Sequence, residues 1–181
     1  MAQGLRMSRG LRFAPIALLA LLLLAMIWRL SKPVDTSVRS NLEGKPVPAF
    51  DLGPALDTKL ALSSRDLATG NPHLVNVFAS WCVPCVTEVK VLQQLKATGV
   101  AVEGIAVRDR PEDLAEFLAR NGDPYERIGG DPQSSVQISL GSSGVPESFI
   151  VDGKGVIRYQ HIGPIESSDA AMILRQLDRA R

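Results

Sequence analysis

The only two cysteines of this 181-residue chain stand with two residues between them, in the segment FASWCVPCVTEV that spans residues 78–89. Such a pair has three chemical uses: a structural disulfide, part of a metal site, or reversible thiol–disulfide exchange. A bridge closing so short a loop removes little entropy from the unfolded chain and is a poor staple for a domain of this length. Zinc normally takes four ligands, and this chain has no second cysteine pair; His73 and His161 are its only histidines. Each histidine by itself reads as an exposed or satisfied polar residue. Exchange fits the pattern better, with a structural bridge and a metal site as its rivals. A thiol at a helix start meets unpaired backbone N–H groups and the positive end of the helix dipole, which stabilise the thiolate. That thiolate attacks a disulfide, and a second cysteine one turn inward resolves the mixed disulfide. Pro84 enforces the turn and stops helix from extending back through the pair.

The flanking elements must supply that helix start. HLVNVFA (73–79) is a short apolar run rich in β-branched and aromatic residues, suited to a strand covered on both faces. After Pro84, the apolar stripe Val86, Val89, Leu92 and Leu95 predicts a helix. VAVEGIAV (100–107) is a second buried strand, and RPEDLAEFLARNG opens with proline and acids and closes with Asn121-Gly122, as helices do. ESFIVD and VIRYQHI flank Gly153-Lys154-Gly155 as a β-hairpin, and ESSDAAMILRQLDRA is a last helix. The order is a βαβ unit followed by ββα, which predicts a mixed sheet with helices on both faces.

The N-terminus is a different kind of segment. Phe13 to Trp28 carries no charged or strongly polar side chain, and three arginines precede it. The run reads as a transmembrane signal-anchor over 13–30, with a cytoplasmic N-terminus at 1–12 and the remainder sent outward. A cleaved signal peptide is the alternative, although MIWRLSKP lacks an A-x-A type site. Residues 31–45 mix proline, serine and charge and read as a tether, leaving 46–181 as the folded domain. Residues 1–32 hold five basic residues and no acid, which leaves 15 basic against 19 acidic residues in 33–181. That balance gives no support to a nucleic-acid partner.

LVNVFASWCVPC resembles the active-site segment of the thioredoxin superfamily. GVPESFIVDGKGVIRYQHIG (144–163) resembles the proline segment and following hairpin of the membrane-tethered proteins of cytochrome c maturation, the CcmG or DsbE family. The similarity covers roughly 43–181 and extends to the N-terminal anchor. It implies an α/β, thioredoxin-like fold, a mixed central sheet flanked by helices, with an N-terminal transmembrane helix. It further implies a thiol-disulfide oxidoreductase in the bacterial inner membrane, its domain facing the periplasm, with Cys82 attacking and Cys85 resolving. The partners implied are apocytochrome c or its accessory thiol protein, and a membrane thiol-electron donor of DsbD/CcdA type; no cofactor is implied. Trp81 would contact partners, Pro146 would be cis, and the Val145 backbone would pair with an incoming peptide. Glu147 would form part of an acidic groove at the rim that selects substrates. Asn76 stands where ordinary thioredoxins carry a buried aspartate, so Glu88, one turn after Cys85, is expected to serve as proton acceptor. A general extracytoplasmic oxidant or isomerase, and a non-enzymatic metal- or haem-handling module, are the alternatives to that function.

Overall fold

The computed structural model describes residues 14–30 and 42–181, which divide into two units. The first holds helix α1, Ala14–Leu30, with 17 residues. At about 1.5 Å per residue it is about 25 Å long, against about 30 Å for a bilayer core. Among the described residues no helix is long and apolar enough to cross a membrane. The expected span started at Phe13, which lies outside the described residues, as do the 1–12 segment and residues 31–41 of the tether.

The second unit runs through β1 (Asp51–Leu52), β2 (Leu62–Ser63), β3 (His73–Phe78), α2 (Val83–Ala97), β4 (Ala101–Val107) and α3 (Pro111–Asn121). It continues with β5 (Ile128–Asp131), α4 (Ser135–Ser139), β6 (Glu147–Val151), β7 (Ile157–Ile162) and α5 (Ala170–Arg179). Five strands form one sheet in the order β5-β4-β3-β6-β7. β3, β4 and β5 run parallel, whereas β6 is antiparallel to both β3 and β7. The mixed sheet follows the βαβ-then-ββα order of the sequence. Packing begins before residue 46: Gly44 N–H donates to Ile157 O at 2.7 Å, and Val47 N–H to Gly155 O at 2.8 Å.

Alternation along β3 builds two cores. Leu74 and Phe78 join the cluster that holds residues of α2, α3 and α5, while Val75 and Val77 face Leu52, Leu62 and Val136 on the other side. Helix cover is therefore heavy on one face, and short elements close the other. Leu74 and Leu92 are fully buried, each stabilising the fold by about 1.5–3 kcal/mol relative to exposure. Helix α2 turns inward the face its apolar stripe predicted at Val89, Leu92 and Leu95, and departs from it only at Val86. It buries Cys85, Glu88, Val89, Val91, Leu92 and Leu95, while Val86 remains 40% exposed.

Gly104 in β4 explains how aromatic packing reaches the site. A Cβ there would lie 2.9 Å from Phe78 Cε1 and 3.0 Å from Tyr125 Cδ1, two rings stacked with centroids 4.4 Å apart. Gly104→Ala is therefore expected to cost about 1–3 kcal/mol in urea denaturation, because the rings must separate. Wild-type stability in that variant would show that the stack yields freely.

Candidate active site

β3 ends at Phe78, and the chain turns through Ala79, Ser80 and Trp81 to Cys82, the N-cap of α2. The Cys82 Sγ accepts a hydrogen bond from the Cys85 N–H at 3.2 Å, so the helix start aims a backbone donor at the outer sulfur, as the sequence implied. Pro84 lies in the first turn, where its missing N–H costs nothing. Cys82 and Cys85 form a disulfide with Cα atoms 5.3 Å apart. Cys82 is 4% exposed and Cys85 1%, and around them Trp81, Val83 and Val86 are exposed at 56%, 78% and 40%. The reactive pair is thus recessed within an apolar rim, the kind of surface that meets another protein.

The approach loop is fixed by a residue that the sequence reading did not single out. Asp109 accepts from the Ser80 N–H at 2.7 Å and from the Ser80 hydroxyl. Because β4 runs parallel to β3, with Phe78 opposite Ala106, the loop after β4 emerges beside the loop after β3. Only the pairing of the two strands makes that neighbourhood visible.

Beneath the disulfide lies a buried polar network. Asn76 and Glu88 are each 0% exposed. The Asn76 amide donates to Glu88 Oε1 and to Ser148 Oγ, both at 3.0 Å. Its carbonyl accepts from the Tyr125 hydroxyl at 2.8 Å, and the Ile165 N–H donates to Glu88 Oε2 at 3.1 Å. Sheet register brings Ser148 opposite Asn76, and helical spacing puts Glu88 three residues after Cys85 on the buried side of α2. Burial raises the Glu88 pKa to about 7, against the opposing pull of the hydrogen bonds from Ile165 and Asn76. Burial, with the nearby Glu88 and Asp123 charges, raises the Tyr125 phenol well above its ordinary value, so that it stays a neutral donor to Asn76. A carboxyl that titrates near neutrality, buried on the Cys85 side of the helix, can take and return a proton.

The 145–147 segment reaches the same end of the sheet, since Glu147 pairs with Val77 at the close of β3. The Val145–Pro146 peptide bond is cis. Val145 packs against the cluster that contains Cys82 and Cys85, and no hydrogen bond within the described residues engages its main chain. Glu147 corrects the sequence reading: it is 1% exposed, not a solvent-facing rim carboxylate. Its Oε2 accepts from the Ser143 N–H at 2.8 Å and its Oε1 from the Gln160 side chain, so it ties the loop before Pro146 to β7. The histidines are satisfied separately: His73 bonds Thr69 at 3.0 Å and Glu103 at 3.3 Å, and His161 bonds the Pro164 carbonyl at 3.3 Å.

A family model described as Redoxin matches residues 42–174. The chain is 35% identical over 165 residues to the thiol:disulfide interchange protein DsbE of Tatumella citrea, covering 89% of each. It belongs to the DsbE family. The DsbE of Escherichia coli K12 is 35% identical, with 88% of each chain covered. The thiol:disulfide interchange protein HelX of Rhodobacter capsulatus is 36% identical, covering 88% of this chain and 90% of its own. Among solved structures, a thiol:disulfide interchange protein of the thioredoxin family from Chlorobium tepidum superposes with a TM-score of 0.56 at 26% identity, covering 75% of this chain and 94% of that one. A DsbF homologue from Corynebacterium diphtheriae shares the fold with a TM-score of 0.64 at 21% identity, over 82% and 98% of the two chains. This DsbE-family chain is accordingly a thiol-disulfide oxidoreductase of thioredoxin-like fold, with Cys82 and Cys85 as its C-x-x-C pair.

Proposed function

We propose that this protein is anchored in the bacterial inner membrane by its N-terminal apolar segment and works in the periplasm. There it reduces disulfides of apocytochrome c, or of the accessory thiol protein that holds it, for haem attachment, and it is recharged by a membrane thiol donor of DsbD/CcdA type. The observation that carries the exchange chemistry is Glu88, buried one turn beyond Cys85 with a pKa of about 7; the reductive direction is the part that the potential tests. The Cys82 thiolate attacks one sulfur of the partner disulfide, giving a mixed disulfide and releasing one partner thiolate. Cys85 must then lose its proton in a buried position before it can displace the second partner sulfur, and Glu88 is the group there to receive it. The protein ends as the Cys82–Cys85 disulfide, and the partner gains two electrons and, with two protons, two thiols.

Three further features support the reading. The unengaged Val145 main chain suits an extended peptide added as a strand. The exposed Trp81 offers that peptide an apolar contact. Leu18, Leu21 and Leu24 of α1 are 61%, 65% and 67% exposed, which suits lipid surroundings better than water.

The test uses the reduced full-length protein and an oxidised C-x-x-C-H peptide. Reduction of the peptide is expected, with a protein potential nearer to the roughly −270 mV of thioredoxin than to the roughly −120 mV of DsbA. A DsbA-like potential would favour the general oxidant. The anchor is tested by alkaline carbonate extraction of membranes, which the full chain is expected to resist; its release would remove the anchor from the proposal.

A further inference from the structure

Beside the disulfide, between the Trp81 loop and α3, lies a cleft of about 660 Å³. Trp81, Val86 and Phe117 give it an apolar wall, and it is otherwise lined largely by charged side chains. Most of these are already matched within the protein. Arg110 binds Asp113 at 2.7 Å, Arg120 binds Glu116, and Asp109 holds Ser80. Arg108 is different: it is exposed and forms no ion pair or side-chain hydrogen bond among the described residues. Its backbone is also unusual, with φ at +50°, a left-handed conformation that long side chains seldom adopt and that tends to occur where a site requires it. The conformation is secured on both sides, by the Arg108 N–H to the Asp131 carbonyl at 3.1 Å and by the grip of Asp109 on Ser80. The fold therefore holds one unmatched guanidinium at the cleft, next to the tryptophan that precedes the attacking cysteine.

We propose that this cleft seats an extended segment of the disulfide partner, with an apolar side chain against Trp81 and Val86 and a carboxylate side chain close to its reactive cysteine paired with Arg108. The planar guanidinium fork matches a carboxylate, and Arg108 is the arginine of the lining that no carboxylate of the described residues engages, in a cleft whose three arginines and three carboxylates otherwise balance. Arg108 is thus a specificity-determining residue for partners with an acidic flank, and the order of thiol exchange is unchanged by it. The inference rests on the exchange of peptide disulfides proposed above and adds the charge pattern of the preferred partner.

The test compares two disulfide-closed Cys-x-x-Cys-His peptides that differ only in carrying two glutamates or two glutamines beside the pair, each reduced by the reduced full-length protein. At low salt the wild type is expected to favour the glutamate peptide in kcat/KM by about fivefold, as for a solvent-accessible ion pair, with the preference shrinking as salt is added. Arg108→Gln is expected to bring the ratio to about one, and Arg108→Lys, which keeps the charge but not the fork, to retain part of it. Persistence of the preference in Arg108→Gln, or its complete loss in Arg108→Lys, would overturn the proposal. Equal wild-type rates on the two peptides would overturn it alone, whereas reduction of neither peptide would overturn the exchange reading and this inference with it.

Discussion

Cys85→Ser is expected to arrest exchange after its first step, so that turnover falls to the uncatalysed background while the partner accumulates as a covalent adduct on Cys82. The N-cap geometry places the backbone donor on the Cys82 sulfur, which favours Cys82 as the thiolate and as the leaving sulfur when the pair is reduced. Without Cys85 nothing displaces the partner's second sulfur. Non-reducing electrophoresis followed by mass spectrometry of the adduct reads the outcome and identifies the partner. Cys82→Ser is expected to lose both turnover and adduct. An adduct that forms on Cys85 in Cys82→Ser, and none in Cys85→Ser, would reverse the two roles.

Glu88→Gln is expected to change both stability and chemistry, in opposite directions. A carboxyl whose pKa rises from 4.5 to about 7 on folding contributes stability that is fully present below about pH 4.5 and is lost as pH climbs through about 7. At about 1.4 kcal/mol per pH unit, that difference amounts to about 3 kcal/mol. Urea denaturation should therefore show the glutamine variant gaining on the wild type by about 3 kcal/mol between pH 4 and pH 8. Resolution of the mixed disulfide should slow by about a hundredfold at pH 7 and lose its inflection near that pH, the usual scale for removal of a positioned base. A variant more stable at pH 8 but with unaltered kinetics would leave Glu88 a buried carboxyl with no part in proton transfer.

The parts of the fold legible in the sequence are those whose physics is local. β3 and β4 are buried on both faces and so read as unbroken apolar runs, and α3 carries its own start and stop signals. β5 was invisible because Ile128-Gly129-Gly130-Asp131 has no strand pattern. Its glycines are there for closeness: a Cβ on Gly129 would lie 2.8 Å from Leu52 Cβ. The site divides in the same way. Cys82 and Cys85 are legible from their spacing, and Glu88, six residues after Cys82, comes into view through the resemblance that sets Asn76 where an acid ordinarily stands. Tyr125 and Asp109 reach the site through strand pairing, 49 residues from Asn76 and 29 from Ser80. Glu147 misled because its position beside Pro146 suggested a rim, whereas its burial depends on Ser143 and on Gln160 of the neighbouring strand.

The hydrogen bonds from Gly44 and Val47 to Ile157 and Gly155 have a geometric corollary. They fasten the start of the domain beside the turn between β6 and β7, where Val151 pairs with His73 at the first residue of β3. The cysteines follow the last residue of the same strand. The domain therefore has a mooring pole and a working pole, separated by the length of a six-residue strand, about 20 Å at 3.3 Å per residue. The disulfide therefore lies at the end of the domain away from Gly44 and Val47.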